Sequence, residues 1–105
     1  MTNIAEILFE SREPTATPQS LADELGRLVW QGTDNGASIH RELEGWIEHG
    51  DEERAAVALA YDEACLFSSP EQISVALDRL AARLPKLGPQ IETRRHWLRE
   101  NFSRH

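Results

Sequence analysis

Residues 51–67 read D-E-E-R-A-A-V-A-L-A-Y-D-E-A-C-L-F, and the placement of this stretch decides the fold. Asp51, Glu52 and Glu53 suit a helix N-terminus, where the macrodipole presents positive charge. The residues beyond them favour helix, which the pattern carries to about Phe67. Val57, Tyr61 and Ala64 share one face at helical spacing, whereas Leu59 and Leu66 point the other way. A helix apolar on two sides needs neighbours on both. The five alanines between positions 55 and 64 would let those neighbours approach closely, so this helix belongs at the centre of a bundle.

Toward the N-terminus, Ile39, Leu43, Trp46 and Ile47 fall at i, i+4, i+7 and i+8 and define a helix closed by Gly50. The stretch Q-G-T-D-N-G before it is a turn, lacking the Lys-Ser/Thr of a phosphate loop and the twelve-residue calcium pattern. Thr17 caps another helix, Pro18 takes its first position, and Leu21, Leu25 and Leu28 form its stripe. Asn3 with Glu6 makes a capping box for a short first helix to about Glu10, and residues 1–16 combine this helix with an extended arm. On the other side, Ser69, Pro70 and Gln72 start a helix striped by Ile73, Leu77, Leu80 and Leu84 until Pro85 stops it. Ile91, Leu98 and Phe102 carry a last one. Six helices and no strand predict a single all-α domain over residues 1–105.

The starts T-P-Q-S-L-A-D-E-L-G-R-L at 17–28 and S-P-E-Q-I-S-V-A-L-D-R-L at 69–80 echo one another. Each is preceded by Leu-Phe and followed by an aromatic-aliphatic pair, Trp46-Ile47 and Trp97-Leu98. Two related three-helix halves would produce this pattern, as would the generic chemistry of capped amphipathic helices.

Composition sets bounds on function. With 40% hydrophobic and 28% charged residues, the chain matches an ordinary globular protein. Its longest apolar run is far short of a membrane span, and the N-terminus lacks the marks of a secretion signal, so a cytoplasmic protein is expected. Cys65 stands alone, which excludes an internal disulfide and fits a small buried side chain. The four histidines, 40, 49, 96 and 105, form no zinc motif. His40 with Glu44 and Glu92 with His96 stand at i, i+4, a spacing that would put nitrogen and carboxylate on one helix face. An enzyme with such a His/Glu site is one alternative, although surface pairing is the commoner use of the spacing. No cofactor, metal or catalytic residue is expected.

The segment S-L-A-D-E-L-G followed by S-I-H-R-E-L-E-G-W-I-E-H-G resembles the two central helices of winged helix-turn-helix DNA-binding domains. The resemblance implies a DNA-binding regulator with the second helix in the major groove. The connection from Gly26 to Ser38 is longer than the usual turn, and Glu42, Glu44 and Glu48 would repel phosphate. Nucleic acid is therefore the less favoured partner.

Charge points instead to protein. Residues 79–105 hold seven basic residues against two acidic, a net +5, whereas residues 1–78 hold four against sixteen, a net −12. Interleaved helices would turn this asymmetry into internal pairing; otherwise the acidic field would steer a basic partner. The carboxylates Glu44, Glu48, Asp51, Glu52 and Glu53 cluster around the Gly50 break and are expected to project from one corner. Trp30 and Trp97 fall off the apolar stripes of their helices and are the candidate apolar anchors. The sequence thus reads as a small acidic, non-enzymatic protein that binds another protein, in the class of inhibitors, immunity proteins, antitoxins, anti-CRISPR-like factors or adaptors. It does not fix the oligomeric state.

Overall fold

Three helix starts are written in their first residues. The Ser20 N–H donates to Thr17 Oγ1 at 3.0 Å while the Thr17 N–H donates to Ser20 Oγ at 2.9 Å. Asp51 Oδ1 accepts from the Arg54 N–H at 2.9 Å, and Ser69 Oγ from the Gln72 N–H at 3.2 Å. Each cap satisfies a donor that the helix itself leaves orphaned, a contribution of about 1 kcal/mol.

The structure, a computed structural model, describes residues 4–29, 35–61, 66–67 and 69–102. The helices are α1 (Ile4–Glu10), α2 (Pro18–Val29), α3 (Asn35–His49), α4 (Glu52–Ala60), α5 (Pro70–Arg83) and α6 (Gly88–Phe102), with a single 3-10 turn at Pro85–Leu87 leading into α6. There is no strand among the described residues, and the chain is an all-α bundle. None of these helices is long and apolar enough to cross a membrane. Asn3, Trp30 and Cys65 lie outside the described residues.

Helix α4 is the centre. Ala55, Ala56, Val57, Ala58 and Leu59 are five consecutive buried residues, with α2, α3 and α6 packed around them. Leu21 and Leu25 of α2, Ile39, Leu43 and Ile47 of α3, Ile73, Leu77 and Leu80 of α5, and Ile91 and Leu98 of α6 complete the core. Helix α1 adds Ala5 and Phe9, whose ring meets Trp46 edge-on at 5.6 Å.

The expected extent of α4 is corrected. It ends at Ala60 rather than near Phe67, because Tyr61 turns extended and its N–H is shared between Val57 O at 3.2 Å and Ala58 O at 3.3 Å. Arg94 of α6 closes that end: Nε donates to Leu59 O at 3.1 Å and Nη2 to Tyr61 O at 2.8 Å, with Arg94 only 7% exposed. Leu66 and Phe67 then lie in a turn, not at a helix end. The second Leu-Phe pair therefore has no helical counterpart to Leu8-Phe9, which removes one leg of the apparent duplication.

Arg83 closes α3 in the same way, donating to Ile47 O and Gly50 O at 2.7 Å each. Gly50 is needed there for space: a Cβ would stand 2.6 Å from Trp46 O. Cations at helix C-termini also complement the macrodipole. The basic C-terminal third thus meets the acidic remainder inside the molecule, through these two caps and through ion pairs of Arg79 with Glu48 and Arg95 with Asp78.

Candidate functional site

The five carboxylates around the α3–α4 break, expected to project together from one corner, differ in their partners. Glu44 Oε2 accepts the Phe67 N–H at 2.8 Å. That bond anchors a bulky residue at φ 63°, a conformation costing about 1–3 kcal/mol. Both oxygens of Glu48 accept from Arg79 Nη2 at 2.9 Å. Asp51 caps α4 and pairs with Arg54 Nη1 at 2.7 Å. Glu53 accepts from Arg12 Nη2 at 3.1 Å. Glu52 is exposed and makes no ion pair among the described residues.

What the structure brings together is Glu52 and Glu53, at the mouth of a cavity of about 270 Å³ between the 11–17 arm, α4 and the start of α6. Phe9, Leu21, Ala56 and Leu87 form its apolar floor, and each is buried. Arg12 stands on its rim, with the guanidinium carbon 3.9 Å from the Phe9 ring centroid and Nη1 donating to Phe9 O at 2.7 Å. The Arg12 and Glu53 side chains are 30% and 72% exposed. Such a surface pair contributes at most about 1 kcal/mol. Sequence reasoning found Glu52 and Glu53 from their charge but missed Arg12 and Phe9. The available signal was a cation three residues after an aromatic, at the entry to the arm.

Arg54 binds this rim to α1. Its Nε donates to Glu6 Oε1 at 3.0 Å, and its guanidinium also lies over Phe9, 4.4 Å from the centroid. The hydrogen bond from Arg54 holds the Glu6 carboxyl below its ordinary value, and Glu6 in turn raises Arg54. Glu42 of α3 accepts the Ala5 and Glu6 N–H groups at 2.9 and 3.1 Å, so it caps α1 from a distance.

The remaining candidates sit elsewhere. Trp97 is half-buried against the core, with the Arg94 guanidinium 4.6 Å above its ring. Neither His/Glu pair is joined by an ion pair among the described residues: His40 Nε2 meets Tyr61 Oη at 2.7 Å while Glu44 Oε2 accepts from Phe67, and Glu92 pairs with Arg95 while His96 faces Glu100. Burial lowers the His40 pKa, with Glu44 opposing. Among the described residues, no three His, Cys, Asp or Glu side chains converge as metal ligands. In the segment that resembles a helix-turn-helix, only residues 30–34 separate α2 from α3, fewer than the Gly26–Ser38 interval suggests. Arg41 is exposed on α3, whereas Glu42 and Glu44 serve α1 and Phe67.

The chain matches no family model, no curated protein and no solved structure.

Proposed function

We propose that this protein is a small non-enzymatic binding protein, of the inhibitor, immunity, antitoxin, anti-CRISPR-like or adaptor kind, whose partner is a protein that inserts a basic side chain at the groove beneath Glu52 and Glu53. The observation that carries the reading is Arg12. The chain's own guanidinium, stacked on Phe9 and paired with Glu53, displays the chemistry this rim accepts. Glu52 beside it has no such partner among the described residues. The apolar floor suits the methylene stem of a lysine or arginine and the carboxylates its head. The net charge of −7 supplies a field that draws in a basic surface.

Zero-length carbodiimide coupling in the native cell joins carboxylates to partner amines and identifies the protein held there. Glu52→Gln with Glu53→Gln is then compared with wild type by association kinetics against that partner. We expect the association rate at low salt to fall by about three- to tenfold and its salt dependence to flatten, with a smaller change in dissociation. Glu48→Gln serves as the comparison, because Arg79 already occupies that carboxylate. A partner that binds the double variant with unchanged kinetics at low salt overturns the reading.

A further inference from the structure

Val75 is one of the two large hydrophobic side chains most exposed among the described residues, at 50%, and it lies in the middle of α5. It borders a shallow open depression with Phe67, Glu71, Gln72, Arg79 and Glu48, none of which lines the groove described above. One turn before Val75 stands Glu71, exposed and without an ion pair among the described residues; one turn after it stands Arg79. The Arg79 side chain is 58% exposed and engages Glu48 through Nη2 alone, while Nε and Nη1 make no hydrogen bond among the described residues. Acid, valine and base therefore follow one another along a single i, i+4 ridge.

That order is self-complementary. A two-fold axis through Val75 and perpendicular to α5 sets the helix antiparallel to its copy, so Glu71 faces Arg79 of the second copy and Arg79 faces its Glu71. Ridges of i±4 residues are also the ones that mesh when two helices pack. The same axis relates Gln72 to Asp78, an amide donor to an exposed carboxylate. We propose that this face of α5 docks a second copy of the chain, forming a symmetric dimer centred on Val75. The geometry uses the vacant nitrogens of Arg79 without breaking its bond to Glu48. The contact is short, since a helix of 14 residues spans about 21 Å. One such helix face is small beside the roughly 2,000 Å² or more that permanent interfaces bury, and two chains of net −7 repel at long range, so the dimer is weak and reversible. Its affinity rises as added salt first screens that repulsion.

Sedimentation equilibrium at about 0.15 M salt, over about 10 µM to about 1 mM chain, tests this. For wild type the weight-average mass should climb from 11.9 kDa toward twice that value. Glu71→Arg alone and Arg79→Glu alone should each lower the association constant by about tenfold or more, because like charges then meet across the axis. Their equimolar mixture should recover the wild-type constant or exceed it, since one chain is cationic at both positions and the other anionic at both. Unchanged far-ultraviolet circular dichroism establishes that the variants are folded. Val75→Lys, which sets two cations on the axis, should likewise stay monomeric. A wild type that is monomeric at about 1 mM, reversals that dimerise as wild type does, or a mixture that fails to recover overturns the proposal.

Discussion

Arg94 shows what one buried side chain decides. A guanidinium carries five donors and cannot shed its charge, so burial requires partners for it. Its partners include the carbonyls of Leu59, in the last turn of α4, and of Tyr61, just beyond it, with the Trp97 ring beneath. This contact stops α4 at Ala60, although the local sequence favours helix further. The sequence carried a trace of it: Arg94 stands three residues after Ile91 and four before Leu98, a cation on a stripe of apolar residues. Its acceptors stand 33 and 35 residues away, and no local pattern announces them. Arg94→Met keeps much of the volume but removes the donors that Arg94 supplies to those carbonyls. It should cost about 2–4 kcal/mol in urea unfolding, with Arg94→Lys recovering part of the loss, because an ammonium lacks the fork that reaches both oxygens. A loss below about 0.5 kcal/mol would mean the carbonyls find other donors and the cap is dispensable.

The helices themselves were legible where their signals are local. Thr17, Asp51 and Ser69 cap the helices they precede, and the leucine stripes of α2 and α5 face the core. Attachments between elements were not legible, and α1 is the plainest case. It has 7 residues, too few to persist alone, and buries only Ala5 and Phe9. Its docking depends on Glu42 at its N-terminus and on the Glu6–Arg54 pair. The Glu6 pKa in the folded state lies below the ordinary 4.5, so its contribution is complete above that value and is lost as pH falls through the folded one. Helix α1 should therefore loosen at acid pH before the rest of the bundle. Amide exchange of Phe9 read against pH should show this as rising opening below about pH 4.5, with slower exchange retained in α5. Glu6→Gln should weaken docking at neutral pH and flatten the acid dependence. The same slope in both proteins would place the titrating group elsewhere.

At the scale of the molecule, the radius of gyration of 13.2 Å is that of a compact chain of this length. Among the described residues, Arg79, Arg83, Arg94 and Arg95 of the C-terminal third all engage other parts of the same chain, and the net charge of the whole is −7. The charge of the cluster was legible in the sequence, but which of its carboxylates are paired was not, because pairing depends on which cations other helices bring near. Glu44, Glu48 and Asp51 acquired partners that way. The two proposed surfaces share no residue, the groove drawing on the arm, α4 and the start of α6, and the dimer face on α5. Contributions from separate sites add unless a common element links them. Dimer and partner should then be coupled only through the overall field. Glu71→Arg makes the chain less acidic and Arg79→Glu more so. Against an identified basic partner, the first should slow association modestly and the second speed it, while both leave dissociation as in wild type. Conversely, Glu52→Gln with Glu53→Gln should keep the dimer, with slightly stronger self-association because two negative charges are gone. A dissociation rate that shifts with either α5 variant would show that partner and second copy compete for one face, and the groove would lose its separate role.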